Sequence, residues 1–450
     1  MEPDFLANSM AQALGQGDTA TLRELVANMH PADLANSVLE RTPRQVWQVL
    51  VLLPAEARAE VFGYLPTELQ VELARIISRK QLADIVFNMS SDERADLFNS
   101  MDTDQREALL PGLAQAERDD LIRLAAHEEG TAGAIMTSDY ATLTTDMTAY
   151  TAIEALRREA PDKETIYQAY VIDEQRQLLG TVSLRDLILA PPQTPIRDIM
   201  KLDVIYANLD DPQEEIASKI AYYDLIALPI IGHDNKLVGI VTYDDAMDVA
   251  EAEATEDFHK TATVGKLESS VREASFGLLY RKRVFWLVLL VFGNLFSGAG
   301  IAYFEDTITA YVGLVFFLPL LVGSAGNAGS QAATLMVRAL ATGDVMLKDW
   351  GYMLGRELLV ASALGLTMAL AVSGIGAMRG GGELALVVSM TMMIVVVAGS
   401  LIGMSLPFVL SQMRLDPATA SAPLVATIAD AVGVLVYFSI ATTVLQQIAA

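Results

Sequence analysis

Five long stretches almost free of charge dominate the C-terminal part of the chain. Residues 284–304 (21 residues), 307–337 (31), 358–378 (21) and 384–413 (30) hold no charged side chain, and residues 417–450 (34) hold only Asp430. About 20 apolar residues cross the hydrocarbon core of a bilayer. The pattern therefore predicts five transmembrane helices, at about 284–304, 309–337, 355–378, 384–411 and 418–447. The longer ones must tilt or run past the bilayer. Such a chain is not a single globular domain.

Charge divides the chain in the same way. Of its 450 residues, 31 are Lys or Arg and 56 are Asp or Glu, a formal net charge of −25. Residues 281–450 carry eight of each sign, so the first 280 hold the whole excess. An acidic field opposes binding to phosphate backbones, so no nucleic-acid partner is expected. Cysteine is absent, which excludes a disulfide framework, a thiolate metal site and a Cys nucleophile. The opening MEPDFLANSM lacks the basic-then-apolar pattern of a signal peptide.

Orientation follows from Lys and Arg placement. Arg281, Lys282, Arg283, Arg338, Lys348, Arg356 and Arg414 fall on one side of the predicted helices and Arg379 on the other. The expectation is a multi-pass protein of the cell (inner) membrane, surrounded by lipid, with a cytoplasmic N-terminus and an external C-terminus.

The membrane half carries polar motifs that a simple anchor does not need. In PLLVGSAGNAGSQAATLMVR, Gly323, Gly326 and Gly329 recur every three residues beside Asn327, Ser330, Gln331 and Thr334. Small residues let helices approach and amides bond across them, so the stretch is either a packing face or a pore wall. Asp430 lies 14 residues after Asp416, about 21 Å along a helix, well inside the bilayer. A carboxylate there is costly. It faces water, binds a cation, or is a neutral acid bonded to a neighbouring helix. Pro423 lacks an N–H and is expected to disrupt the helix and free carbonyls. Thr427 and Gly433, three residues to either side of Asp430, share its face.

Residues 1–130 read as short helices at roughly 12-residue spacing, in LLPAEARAEVFGYL, YLPTELQVELARII, MSSDERADLFNSM and MDTDQREALLPGL. Each has a helix-start signal followed by acids. Stacked, they predict an all-α superhelical domain. The four histidines are scattered, and neither a metal-binding His cluster nor a catalytic nucleophile is evident, so no enzyme is expected.

Residues 131–193 and 194–256 form a repeat. Ile135 and Met136 correspond to Ile199 and Met200, and GTVSLRD (180–186) to GIVTYDD (239–245). Each reads as strand, helix, strand, turn, strand, helix. The pair resembles tandem CBS domains, an α+β fold. That resemblance implies a regulatory module admitting ATP, with Ser183 and Asp186, and Thr242 and Asp245, at the ribose position. After the second repeat, Asp245, Asp248, Glu253, Glu256 and Asp257 fall at helical spacings, and Asp92 and Asp96 form a second acidic face. Such faces are either solvated surfaces or cation sensors, since a divalent ion offsets like-charge repulsion. Residues 257–280 read as a connecting helix leading into the membrane domain, 281–450.

This order of parts resembles the MgtE family of magnesium channels, most specifically in PLLVGSAGNAGSQAATLMVRALATGD and LDPATASAPLVATIADAVG. The resemblance covers the whole chain and implies a homodimer with the pore between protomers. It implies Mg²⁺ as both substrate and regulator. Asp430 would be the pore ligand, with the Ala426 backbone and Thr427 nearby, and Gly326, Asn327, Gly329, Gln331, Pro423 and Gly433 lining or packing the pore. The regulatory Mg²⁺ sites would be Asp92, Asp96, Glu214, Asp224, Asp245, Asp248, Glu253, Glu256, Asp257 and Asp416. Ala422 departs from the family's Asn before the proline. The function implied is Mg²⁺ passage into the cytoplasm, closed by cytosolic Mg²⁺. Two alternatives are an H⁺- or Na⁺-coupled divalent cation transporter and a membrane-tethered CBS sensor. No Walker lysine motif points to an ATP-driven pump.

Overall fold

A computed structural model of the chain describes residues 10, 12–16, 18–27, 29–265 and 274–449. The chain forms two compact units, Met1–Glu251 and Ala252–Ala450.

The first unit begins with short helices: α1 (Thr19–Ala27), α2 (Pro31–Val38), α3 (Pro43–Leu50), α4 (Ala55–Gly63), α5 (Thr67–Ile76), α6 (Arg79–Asn88), α7 (Ser91–Ser100), α8 (Thr103–Leu109) and α9 (Gln115–Ala125). Their starts are written locally. Pro31 and Pro43 occupy the first turn, where a missing N–H costs nothing. Ser78 with Gln81, and Asp102 with Gln105, close capping boxes. From α2 to α9 each helix packs on the one two places further along, burying Leu50, Leu73, Ile85 and Leu97. Buried Gln70 turns its Nε2 onto the Phe62 and Leu65 carbonyls, each at 2.9 Å. It thereby adds a side-chain bond to the Phe62 carbonyl, which also accepts from Leu65 N, and ties down the turn where α4 ends.

The repeat follows. Its first copy comprises β1 (Tyr140–Leu143), α10 (Ala149–Glu159), β2 (Thr165–Ile172), β3 (Leu178–Ser183) and α11 (Leu184–Leu189). Its second comprises α12 (Ile196–Ile199), β4 (Ala207–Asn208), α13 (Gln213–Tyr222), β5 (Ala227–Ile231), β6 (Leu237–Thr242) and α14 (Tyr243–Thr261). Each copy holds one three-stranded sheet whose first two strands are parallel and last two antiparallel. The copies interlock. Thr137, ahead of the first sheet, exchanges backbone hydrogen bonds of 2.8 and 3.0 Å with Ile240 on β6. Lys201, ahead of the second, exchanges bonds of 2.9 and 3.0 Å with Thr181 on β3. Met136 covers Gly239, where a Cβ would come within 2.5 Å of its sulfur, and Met200 covers Gly180. Each repeat is therefore completed by the lead-in segment of the other.

The second unit is helical: the end of α14, then α15 (Phe276–Tyr303), α16 (Glu305–Ala310), α17 (Gly313–Ala341), α18 (Trp350–Gln412) and α19 (Ala422–Ala449). Among the described residues, four helical segments of this unit are long and apolar enough to cross a membrane. The 63 residues of α18 would extend about 95 Å if straight, some three times the hydrocarbon thickness. Gly380 and Gly381 break it, Gly381 at φ 75° and ψ −168°, a region that only glycine occupies readily. The two arms then fold together: Ser389 Oγ donates to Ala369 O at 3.3 Å. Residues 257–261 and 276–280 of the expected connecting helix belong to α14 and α15. Its middle, 266–273, lies outside the described residues. The observed class is the expected one: a helical N-terminal array, paired α+β repeats and an apolar helical C-terminal region.

Candidate functional site: carboxylates in both units

In the first unit, acids from four segments converge. Asp92 on α7, Asp139 before β1, Glu164 before β2 and Asp245 on α14 act on one another. Burial raises the Asp92 carboxyl above its ordinary range, and the Asp139 charge adds to this. Burial and then Asp92 push Asp245 up to about 7, although Thr242 Oγ1 donates to Asp245 Oδ2 at 2.5 Å. Glu164 goes up to about 8 through burial, Asp92, Asp245, Asp244 and Asp139. Glu93 reaches about 7 through burial, Asp92 and Asp96. Asp96 lies on the solvent side of α7, yet surrounding protein displaces water and, with Asp92 and Glu129, pushes it up to about 7. One oxygen of Asp92, Oδ1, is buried without a hydrogen-bond partner. Burial and mutual repulsion thus both favour the protonated form in this group.

Arg94 pairs with Asp139 at 3.3 Å, and the Ser91 hydroxyl lies 2.9 Å from that of Thr137. These contacts tie α7 to the first repeat. Glu93, Asp139, Glu164 and Asp244 also line a cavity of about 1190 Å³. Glu214, in the first turn of α13, and Asp224, at φ 52° ahead of β5, are exposed. Neither ranks among the charges acting most strongly on Asp92 or Asp245. Exposed Asp248 has its carboxyl raised by burial and by Asp244 and Glu251.

The acidic run that follows the second repeat is carried by one helix but serves two groups. Asp245 belongs to the cluster above. Glu253, Glu256 and Asp257 belong to a second group in the other unit, with Asp416. Burial raises Asp257, and the charge of Asp416 raises it further. Asp416 Oδ1 accepts from Ala418 N at 2.8 Å and caps a short 3₁₀ turn. Lys260 Nζ lies 2.5 Å from Asp416 Oδ2 and 2.6 Å from Glu256 Oε1. Partial burial works against its charge, but these two hydrogen bonds outweigh it and hold the ammonium above its ordinary range.

Asp430 sits where α19 crosses α17. A Cβ on Gly326 would lie 3.3 Å from Ala426 Cβ and 3.4 Å from Asp430 Oδ1. A Cβ on Gly329 would lie 2.7 Å from the Gly399 carbonyl of α18. Glycines at these positions thus let three helices meet around the carboxylate. Asn327 and Gln331 are exposed on α17, turned away from this crossing. Thr427 and Gly433 flank Asp430 one helical turn to either side. A Cβ on Gly293 of α15 would meet Thr427 Cγ2 at 2.6 Å, and Gly433, like Asp430, faces α17, at Val322 and Ala325. Pro423 corrects an expectation. It stands in the first turn of α19, so it starts the helix rather than breaking it. Ser330 Oγ donates to the neighbouring Ala422 carbonyl at 3.2 Å.

At the expected ribose position, Ser183 Oγ donates to Asp186 Oδ2 at 2.7 Å and accepts from Asp186 N at 3.0 Å. Both Ser/Thr–Asp pairs are engaged at the starts of their own helices. Among the described residues, no three His, Asp or Glu side chains close in tightly enough to chelate an ion.

Residues 318–440 match a family described as a divalent cation transporter (MgtE), 29–130 match the MgtE intracellular N domain, and 132–192 and 196–252 match CBS domains. The magnesium transporter MgtE of Thermus thermophilus is 40% identical over 446 residues, covering 98% of this chain and 99% of that protein. The chain belongs to the MgtE family. It is a membrane protein of a magnesium-transporter family. The Bacillus subtilis magnesium transporter MgtE is 36% identical over 318 residues, 70% of each chain. A solved structure of the cytosolic domain of the Mg²⁺ channel MgtE in complex with ATP is 39% identical. It covers 54% of this chain and 99% of that one, with a TM-score of 0.52.

Two participants in the first acid group, and one acid outside both groups, escape sequence reasoning. Glu164 and Asp139 stand alone between elements, without the helical spacing that marks an acidic face. Glu357 lies at the start of α18, within a segment expected to cross the membrane, where it accepts a hydrogen bond from buried Ser400. The signal available was its place beside an uncharged stretch.

Proposed function

We propose that this chain is a Mg²⁺ channel or transporter passing Mg²⁺ into the cytoplasm through a pore shared by two protomers. Cytosolic Mg²⁺ closes it by binding the acidic groups of the array, the repeats and the membrane-proximal turn. The observation that carries this reading is the carboxylate of Asp430 held against the glycine face of α17 in an apolar region. An acid there is expensive unless it serves an ion path. Asn327 and Gln331, exposed on the same helix, give a polar stripe that a second protomer or water must cover. Two copies of Asp430 near a symmetry axis would hold a largely hydrated ion. With the N-terminus cytoplasmic and the C-terminus external, inward passage of Mg²⁺ gains about 4.6 kcal/mol per 100 mV of negative-inside potential.

For regulation, the support is crowding of like charge around Asp92, Asp96, Asp245, Glu253, Glu256, Asp257 and Asp416. Glu214, Asp224 and Asp248 extend this acidic surface. A divalent ion relieves the repulsion and favours the compact arrangement. Its loss favours separation and opening, a shift driven by differential binding to two states. ATP at the CBS pair is a second regulator, supported by the related cytosolic domain in complex with ATP.

The deciding experiment is Mg²⁺ flux into proteoliposomes with no other ion gradient. The native chain should conduct, and Asp430→Ala should lose at least about 90% of that flux. Equal flux in both would remove Asp430 from the path. Flux only under an H⁺ or Na⁺ gradient would replace passive passage with coupled transport.

A further inference from the structure

Lys260 makes the link between the end of α14 and the turn joining α18 to α19. Its ammonium bridges Glu256, one helical turn back, and Asp416, 156 positions ahead. Both oxygens of Asp416 are engaged: Oδ2 by Lys260 and Oδ1 by the Ala418 amide. The bridge is partly shielded from water, with side-chain exposures of 29% for Lys260 and 17% for Glu256. An ammonium is a compact point charge with three donors on a flexible stem. Held between two carboxylates, it stands where a bridging cation would stand.

We propose that Lys260 is a tethered competitor for the regulatory divalent cation, occupying the position between Glu256 and Asp416 until the ion displaces it. The proposal rests on the reading above, in which Glu256 and Asp416 belong to the Mg²⁺-sensing group. An ion can take the position only while the lysine is away. The apparent affinity is therefore the intrinsic affinity scaled by that free fraction. A bridge made about 80–90% of the time weakens binding about five- to tenfold. The exchange is also uneven. A single positive charge leaves and a double one arrives, so repulsion among Glu256, Asp257 and Asp416 falls when the ion binds. Lys260 thus sets the Mg²⁺ level at which the membrane-proximal group switches, while the lysine bridge keeps α14 and the turn in register below that level.

The test uses the full chain in proteoliposomes, with the Mg²⁺ concentration that half-closes the flux as readout, and calorimetric titration of Mg²⁺ alone as a second measurement. Lys260→Met and Lys260→Gln should lower that concentration, and tighten binding, about five- to tenfold. Lys260→Arg, which keeps the charge, should stay closer to native. Asp416→Asn and Glu256→Gln should raise the concentration. Unchanged or weakened Mg²⁺ response in both neutral Lys260 variants, with Asp416→Asn still shifted, would overturn the competitor and leave the sensing group standing. No shift in either carboxylate variant would overturn the sensing role of this group and the proposal with it. Calorimetry keeps the question answerable if one variant reconstitutes poorly.

Discussion

Asp92 and Asp245 stand 153 positions apart, yet the charge of Asp92 raises the proton affinity of Asp245. This has a signed consequence for pH. A carboxyl that binds its proton more tightly folded than unfolded stabilises the fold below its unfolded pKa, near 4, and loses that contribution as pH rises through its folded pKa. Glu93, Asp96 and Asp245 sit at about 7 and Glu164 at about 8, so the window runs from about pH 4 to pH 8. In EDTA, the thermal midpoint of the first unit in the full chain should fall between pH 5 and pH 8. Added Mg²⁺ should raise it more at pH 8 than at pH 6, where protons already neutralise part of the group. A midpoint indifferent to pH would remove the crowding argument. The acids on regular helical spacings, Asp92, Asp96, Asp245 and Asp248, were legible in the sequence. Glu164, Asp139 and the Lys260 bridge were not, because each depends on a partner far away in the chain, and spacing reports only neighbours.

At the scale of elements, the membrane helices meet backbone to backbone. A Cβ on Gly403 would come within 1.9 Å of the Gly329 carbonyl, and one on Gly399 within 2.2 Å of the Ala325 carbonyl. Gly403→Ala should therefore force α17 and α18 apart, costing about 1–3 kcal/mol. Thermal unfolding in detergent should show a lowered midpoint, with Mg²⁺ flux reduced in parallel. Gly382→Ala, with open space around its Cβ, should change neither. The three-residue glycine spacing on α17 announced a close-packed face, and Gly326 and Gly329 use it, while nothing lies within 4 Å of a Cβ on Gly323. The receiving glycines on α18, Gly399 and Gly403, stand four residues apart in an apolar run, a spacing that itself permits close helix approach but does not say which helix they receive. Pro423 shows the reverse difficulty. A proline inside an apolar stretch suggests a break, but its role depended on where the helix began, and the 3₁₀ turn Pro417–Thr419 moves that start to Ala422.

At the scale of the whole molecule, the order of helical array, paired repeats and apolar helices was enough to recognise the family, because no single part carries that order. A shared pore makes a further demand on α17. The chain has no cysteine, so Gln331→Cys introduces its only thiol. Oxidation in native membranes should give a covalent dimer, whereas Leu359→Cys, exposed on α18, should not cross-link. Monomer only at Gln331→Cys would count against the two-protomer pore. The interlocked repeats carry a different consequence, for synthesis. Thr137 finds its partner only when Ile240 emerges, 103 residues later. At about 5–20 residues per second on the ribosome, that is roughly 5–20 s. The first sheet, by contrast, is closed by Lys201 only 20 residues after Thr181. For those seconds the nascent chain displays a lead-in segment with no sheet to join, open to a chaperone or to the second repeat of a neighbouring nascent chain.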